Sequence, residues 1–425
     1  MLGVTLTAAD ECPRCHDPLV TERDALPWCS SCEWNLERYE PERRRPELGW
    51  PLVDRTTHRL AYRLAQRQFT ALAGRPVGRP GWSVARIVLL FAAVVLLAGT
   101  LACLAFGIYL IAYHFPTFLI IPGTVLVLIA FALRPRFPRL DPYAEPLTRD
   151  QAPTLFGVVD RVAAAVGAPP PQVIAIDDGF NAWATACGIR RRRVLCLGLP
   201  LLGVLRPQER VALLGHELGH FVNGDIRRGP LTRVALSTLG ELAELLRPTR
   251  RQPFSGGGLV NAVSELLARI VLSVLRFLAW TGHVLLLLVG QRDAQRAEYL
   301  ADELGARAGG STACTTLTDI LVAEDVVTMM IMREARLGRG PDGWRAAVDQ
   351  AREALLPRLR GLRQLSVRDR VSLFASHPPA GLRSRMVVSR ISQAPTVWLS
   401  EAESARLDDE LADRYERVRR SLAAG

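Results

Sequence analysis

The chain has 425 residues, 49% of them hydrophobic and 22% charged, which is enough for one large domain and smaller modules. Its formal net charge of +11 comes from arginine alone, since the sequence contains no lysine, and this basic balance does not by itself indicate nucleic-acid binding, so no nucleic acid is expected as a partner. Its eight cysteines are too unevenly placed for a disulfide scaffold and suit a reducing compartment.

Four cysteines near the start of the chain form two Cys-x-x-Cys pairs with thirteen residues between them: Cys12, Cys15, Cys29 and Cys32. Four thiolates at this spacing are typical of a closed tetrahedral structural zinc site, and so small a module has little core without metal. We therefore predict a zinc ribbon over residues 1–40, with a rubredoxin-like iron site as the chemical alternative. Trp28 and Trp34 could contact a protein partner or pack against the module's own core.

An uncharged segment of 47 residues, Ile87–Leu133, follows a linker and amphipathic helix predicted over residues 41–85. A helix crosses the hydrocarbon core of a bilayer with about 20 residues, so the segment predicts a transmembrane hairpin over residues 86–134 with a tight turn at Pro116. One long buried core helix is the alternative, but the segment exceeds any ordinary globular helix. Residues 1–11 lack the pattern of a signal peptide, so none is expected.

Arginines flank this hairpin on both sides: Arg79, Arg86, Arg134, Arg136 and Arg139. Positive charge at both ends of a hairpin predicts that both ends face the cytoplasm. We accordingly expect a multi-pass protein of the cell (plasma) membrane, with the lipid bilayer as a partner and both termini in the cytoplasm.

A second apolar region, Leu259–Gly290, is interrupted at spacings of seven by three ionisable residues that share one helix face: Arg269, Arg276 and His283. That face could line a protein interior, which favours a further span over residues 270–290. The alternative is an amphipathic helix on the bilayer surface. Leu231–Leu246 predicts a solvated or interfacial helix, and Pro248–Gly258 predicts a flexible loop.

A helix predicted over Pro207–Asn223 carries two histidines one turn apart, His216 and His220, with Glu217 between them. Both imidazoles can reach one Zn²⁺ from the same helix face, and the glutamate can act as general base toward a water molecule at that metal. Polar groups of this kind are costly in an otherwise apolar helix unless they have a function. The pattern predicts a hydrolytic zinc site.

A catalytic zinc needs a third protein ligand and an open fourth position. Glu298 and Asp302 lie four residues apart in what should be another helix. Glu298 could be the third ligand, and Asp302 could accept a hydrogen bond from a ligating histidine. The alternative is an ordinary exposed acidic pair near Arg296, and Glu303 is the nearest competitor as ligand.

These motifs together resemble the membrane gluzincin family of HtpX-like heat-shock proteases and CAAX-prenyl endopeptidases. The resemblance extends from Pro171 to Asp302, with further matches as far as Arg383. The matching pieces are Asn181–Thr185, the His216–His220 motif continuing to Asn223-Gly224-Asp225, the Glu298/Asp302 pair, and His377-Pro378-Pro379 followed by Arg383. The resemblance implies two N-terminal spans, hydrophobic helices between the metal ligands and a cytoplasmic active site.

By the same resemblance, His377 would donate a hydrogen bond to the oxyanion and Arg383 would brace the site electrostatically. Four residues would form an edge strand that pairs with an extended substrate: Asn181, Ala182, Trp183 and Ala184. The alternatives are a helix-ending turn at His377 and a plain sheet edge. Gln295 stands where the family usually has an arginine, which puts the local ion-pair partner in doubt.

The expected architecture is a mainly α membrane protein with an α+β zincin-like metalloprotease domain over residues 140–395, a small edge-strand sheet, the transmembrane hairpin and the four-cysteine zinc ribbon. Residues 396–425 are expected to form a charged, solvated helical tail. The expected function is zinc-dependent endoproteolysis of membrane or misfolded proteins at the cytoplasmic face, with one catalytic and one structural zinc. A non-catalytic membrane adaptor that binds partners through the ribbon is the alternative, and prenyl-protein processing rests on family analogy alone.

Overall fold

The computed structural model describes most of the chain in segments: residues 11–44, 46–47, 49–78, 83–113, 115–134, 139–188, 190–222, 238–247, 259–375 and 377–424. These residues fall into two compact units. The larger unit lies within residues 1–79, 139–225 and 294–425, and the apolar unit within residues 80–138 and 226–293. The predicted Asn223–Asp225 motif and the Pro248–Gly258 loop lie outside the described residues.

Helices dominate both units, as predicted. In chain order they are α1 Pro51–Leu72, α2 Val84–Ala112, α3 Ile120–Ala132, α4 Pro153–Val166, α5 Leu199–Val204, α6 Pro207–Val222, α7 238–245, α8 Leu259–Gly309, α9 Ser311–Val322, α10 Glu324–Arg336, α11 Pro341–Leu355, α12 Leu359–Arg370, α13 Ala380–Val388, α14 Glu401–Glu410 and α15 Ala412–Ala424. A short 3₁₀ turn, Leu356–Arg358, joins α11 to α12.

The described part of the chain also contains two small sheets, built from the strands β1 Leu19–Val20, β2 Trp28–Cys29, β3 Glu145–Leu147, β4 Val173–Asp177, β5 Ala182–Cys187 and β6 Arg192–Gly198. The antiparallel pair β1 and β2 lies in the cysteine-rich segment. The other four strands lie in the order β3-β4-β6-β5, with β4 and β6 parallel and the outer strands antiparallel to their neighbours. This order places β5 at an edge, and β5 packs against α6.

In the apolar unit, α2 and α3 form a hairpin whose helices approach closely at two glycines. A Cβ atom on Gly107 would lie 2.8 Å from the carbonyl oxygen of Gly123, and one on Gly123 would lie 2.8 Å from that of Gly107. Small residues permit this separation, as they do between membrane helices. Bulky apolar side chains such as Phe91, 70% exposed, point away from the contact, as suits a lipid environment.

The hairpin differs from the expected one at its turn. In place of the predicted tight turn at Pro116, residues 115–119 are all non-helical, and α3 begins only at Ile120. At 1.5 Å per residue, the 13 residues of α3 extend about 20 Å, less than the ~30 Å of a hydrocarbon core. Among the residues that the structure describes, two helices are long and apolar enough to cross a membrane by length and composition, Val84–Ala112 and the part of α8 from Arg269 to Gly309.

Two of the three ionisable residues predicted to share one face of the second apolar region, Arg276 and His283, lie against α7, and Arg269 is exposed. Arg276 donates from Nε to the carbonyl oxygen of Ala243 at 3.3 Å. A Cβ atom on Gly240 would lie 3.2 Å from the imidazole ring of His283. Arg276 and His283 therefore contact protein within the apolar unit, and the further span over residues 270–290 stays a prediction.

The C-terminal segment differs from the solvated tail that its charge suggested. Tyr415 is 2% exposed and stacks edge-on against the buried Trp344, with ring centroids 6.0 Å apart. Arg210 of α6 is fully buried, and its Nη2 donates to both carboxylate oxygens of Asp408 at 2.7 and 2.9 Å. The charged Asp408 of this segment thus pairs with a buried arginine, and α14 and α15 belong to the larger unit.

We expect Asp408→Ala to destabilise the larger unit by about 3–5 kcal/mol, because it leaves the Arg210 guanidinium buried without its counter-charge. Denaturant or thermal unfolding of the purified protein measures the effect. Asp409→Ala removes an exposed carboxylate one residue along α14 and should change stability by less than about 0.5 kcal/mol. Equal stability of the two variants would contradict a structural role for the Arg210–Asp408 pair.

Candidate metal centre

The candidate site depends on an unusually close approach of α6 and the C-terminal part of α8. A Cβ atom on Gly305 would lie 2.8 Å from the carbonyl oxygen of Ala212, and one on Gly309 would lie 2.6 Å from the Ala212 nitrogen. From the other side, a Cβ on Gly215 would lie 2.8 Å from the side chain of Ala308. These separations fall below the distances at which Cβ atoms are found, so only glycine permits them.

This contact is not among the features predicted from the sequence. The sequence pattern that could have predicted the contact is a run of small residues spaced four apart in each helix. These are Gly215 and Gly219 on α6, and Ala301, Gly305 and Gly309 on α8. Residues four apart share one helix face, so each helix faces the other with a row of small residues. The two ligand motifs lie beside this row.

The approach of the two helices brings His216, His220 and Glu298 together. Nε2 of His216 lies 3.6 Å from Oε2 of Glu298, and Nε2 of His220 lies 3.6 Å from Oε1. One donor atom from each residue lies within 4.8 Å of both others. A tetrahedral zinc ion with bonds of about 2.0–2.1 Å separates its ligand atoms by roughly 3.4 Å, so the three side chains can hold such an ion with little movement.

Asp302 lies one helical turn beyond Glu298 and contacts the Nδ1 side of the His216 ring. Nδ1 of His216 donates to Oδ1 of Asp302 at 3.0 Å, which leaves Nε2 of that ring for a metal. Arg383 of α13 donates to both carboxylate oxygens of Asp302, at 2.6 Å from Nη2 and 3.0 Å from Nε. All three side chains are buried. Burial raises the pKa of Asp302, but the adjacent Arg383 and His216 outweigh it and hold this pKa well below its usual range.

Glu217 is buried in the same turn of α6, between the two histidines. Burial, the largest cause, raises the pKa of its carboxyl, and the nearby charge of Glu298 adds to the increase. A carboxylate with a raised pKa is a better proton acceptor at neutral pH. The residue is therefore suited to the role of general base.

His377 lies in the segment that connects α12 to α13 and is largely exposed. Its Nδ1 lies 2.8 Å from Oε2 of Glu298, and this contact raises the pKa of the imidazole. His377 lines a cavity of about 290 Å³ whose other lining residues include Glu324, Arg370 and Arg383. The structure thus brings His377 and Arg383 to the metal cluster, one on an open side and one in the interior.

The four residues of the predicted substrate strand lie on or next to β5. Ala182, Trp183 and Ala184 belong to the strand, while Asn181 precedes it and accepts a backbone hydrogen bond from Gly198 at 2.9 Å. Trp183 packs against the buried core of the sheet. The main chain of β5 lies at the sheet edge beside the helix that carries His216 and His220.

The four N-terminal cysteines form a second cluster, whose donor sulfurs lie within 4.8 Å of one another. Sγ of Cys12 lies 3.5 Å from Sγ of Cys32, and Sγ of Cys15 lies 3.4 Å from Sγ of Cys29. With Zn–S bonds near 2.3 Å, sulfur atoms around a tetrahedral zinc are roughly 3.8 Å apart. The cluster could therefore hold a structural metal ion.

Comparison with known proteins places the chain in a family. The model of peptidase family M48 matches residues 150–391. The chain is similar to proteins named Protease HtpX homolog from Tropheryma whipplei (26% identical over 48% of this chain and 69% of the relative), Thermococcus kodakarensis (26%, over 55% and 72%) and Streptococcus uberis (32%, over 27% and 38%). No solved structure matches the chain.

The matched segment includes every member of the His216, His220 and Glu298 cluster, as well as Glu217, Asp302 and Arg383. It also covers more than half of the chain. The resemblance to HtpX-like metalloproteases inferred from the motifs is thereby confirmed, and the chain belongs to peptidase family M48, a family of metalloproteases.

Proposed function

We propose that the protein is a membrane-anchored zinc endopeptidase that hydrolyses peptide bonds of membrane or misfolded proteins at the cytoplasmic face. The observation that carries the proposal is the convergence of two imidazoles and a carboxylate, from His216, His220 and Glu298, at metal-ligand separations. Glu217 lies in the same helical turn, and membership of family M48 supports proteolysis.

A zinc ion bound by these three residues would supply Lewis acidity, polarising a carbonyl group and making water a better nucleophile at neutral pH. The carboxylate of Glu217 takes the proton from the attacking water and can return it to the leaving amine. Asp302 holds His216 in the tautomer that leaves Nε2 free, and Arg383 fixes Asp302 in turn.

Substrate would bind as an extended peptide along β5, whose edge position beside α6 supports such pairing. On this proposal Asn181, Ala182, Trp183 and Ala184 provide the pairing main chain. His377 would stabilise negative charge that develops on the carbonyl oxygen, since it lies on the open side of the cluster. Such donors act mainly on the transition state and should affect kcat more than KM.

The adaptor alternative has less support. Of the two tryptophans that a ribbon partner could have contacted, Trp28 is fully buried within the larger unit and Trp34 is half-buried. The four-cysteine cluster is instead proposed to hold a structural zinc, which gives two zinc ions per chain.

We expect Glu217→Gln to lower kcat/KM for a fluorogenic peptide or casein by about 10²–10⁴, because the amide cannot accept the proton. Bound zinc should stay at two per chain, as measured by atomic emission on the purified protein. His216→Ala/His220→Ala should lose one zinc and Cys12→Ser/Cys15→Ser the other. Undiminished cleavage by Glu217→Gln would exclude Glu217 as the base.

Asp302→Asn should weaken zinc at the catalytic site about 10–100-fold, because an amide is a poorer acceptor for the ligating His216. Titration against a chelator of known affinity measures the change. Glu303→Gln is the matched control, since Glu303 is the next residue of α8 but pairs with Arg390 at 3.0 Å. If both variants hold zinc equally well, Asp302 does not support the ligand.

The proposed topology predicts which sites face the outside of the cell. A membrane-impermeant thiol reagent added to intact cells should label Phe118→Cys, in the hairpin turn, but not Tyr143→Cys beyond the hairpin. Both side chains are at least 80% exposed, so accessibility to the reagent is decided by the membrane. The unsubstituted protein gives the background labelling of its own cysteines. Labelling of Tyr143→Cys from outside the cell would contradict the proposed orientation.

A further inference from the structure

The four-cysteine module, defined as residues 11–40, is docked onto α12 within the larger unit. Trp28 donates from Nε1 to Oε1 of Gln364 at 3.0 Å. Nε2 of Gln364 donates to the carbonyl oxygen of Ser30 at 2.8 Å. Because Ser30 lies between the ligand candidates Cys29 and Cys32, the Gln364 amide contacts the metal knuckle directly.

Arg368, one turn further along α12, is the centre of the contact and is 1% exposed. Its guanidinium donates to three carbonyl oxygens of the module, those of Leu26, Asn35 and Leu36, at 2.8, 2.8 and 3.2 Å. It also donates to the carboxylate of Glu40 at 2.7 Å and lies 4.9 Å from the ring centroid of Trp28. A buried cation with these acceptors is stable only while the module is folded.

The module and the residues just after it also contact the chain on both sides of His377. The described residues 371–375 and 377–379 between α12 and α13 are called the His377 segment. At its start, Nη2 of Arg44 donates to the carbonyl oxygen of Val371 at 2.6 Å. Beyond its end, Arg385 of α13 pairs with Glu33 at 2.9 Å. The N-terminal region, more than three hundred residues away in sequence, therefore contacts the start of the segment and the helix that follows it.

The groups that this arrangement positions belong to the metal centre. His377 reaches Glu298 from the segment, and Arg383 reaches Asp302 from the first turns of α13. The α12–α13 pair is also tightly packed, because a Cβ atom on Gly381 would lie 1.9 Å from the carbonyl oxygen of Arg363. A displacement of α12 would therefore be transmitted to α13.

We propose that the four-cysteine module is a positioning element of the active site: its metal keeps the knuckle folded, and Gln364 and Arg368 then hold the His377 segment and Arg383 in place. The inference rests on the proposed function and extends it. The module acts through α12, and its contacts with α12 and α13 described above do not involve the three ligand candidates of the catalytic zinc.

The test compares Arg368→Leu with Arg360→Leu in the full-length protein. Both variants remove one arginine from α12, but Arg360 is exposed. For Arg368→Leu we expect faster hydrogen exchange of backbone amides in residues 371–388, unchanged exchange in β6, two bound zinc ions and a kcat about tenfold lower at unchanged KM. Arg360→Leu should match the unsubstituted protein in all four measurements.

Gln364→Leu and Cys29→Ser/Cys32→Ser provide independent checks. Both should accelerate exchange in residues 371–388, and only the cysteine variant should bind one zinc ion instead of two. The proposal is overturned if Arg368→Leu behaves like Arg360→Leu, or if exchange rises throughout the larger unit, which would indicate general destabilisation. Absence of Glu217-dependent cleavage by the unsubstituted protein would refute the proposed function, while the exchange measurements would still decide whether the module holds the segment.

Discussion

The close approach of α6 and α8 is the constraint on which the metal centre depends. Two helices normally pack with axes about 8–10 Å apart, but backbone atoms of these two would contact any Cβ atom placed on Gly305 or Gly309. At this separation short side chains from one helix reach the other, so His216 and Asp302 meet without a long or flexible linker. The rigidity of the donor set follows from backbone packing rather than from the metal alone.

Arginine carries the polar contacts that join distant parts of the larger unit. Three buried guanidinium groups, those of Arg210, Arg368 and Arg383, each bridge segments far apart in sequence. A guanidinium presents five donors in a rigid fork and can satisfy several acceptors at once, which an ammonium group cannot do in the same geometry. A chain without lysine is thus suited to this way of fixing its tertiary structure.

The features that could be predicted from the sequence are those that depend on a regular spacing of nearby residues. The spacing of His216 and His220 follows from the helical period, and Glu298 and Asp302 follow the same rule on the second helix. Their roles stay predictions, although the structure brings the four side chains together. The family assignment and the mainly helical architecture are confirmed.

Other features were missed because their physical cause is not local. The docking of α14 and of the four-cysteine module depends on arginines that donate to backbone carbonyls or distant carboxylates, and such acceptors follow no sequence period. The short α3 was missed because hydropathy measures the composition of a segment and does not show where its backbone leaves the helix.

The Arg210–Asp408 pair has a consequence for the order in which the protein matures. The acceptors of Arg210 on α14 lie 194 to 198 residues downstream, so α6 cannot bury this cation until residues 404–408 have left the ribosome. At synthesis rates of about 5–20 residues per second, the helix that carries His216 and His220 therefore waits on the order of ten seconds or more for its partner. The docking of α14 onto α6 is therefore a late step in the folding of the larger unit.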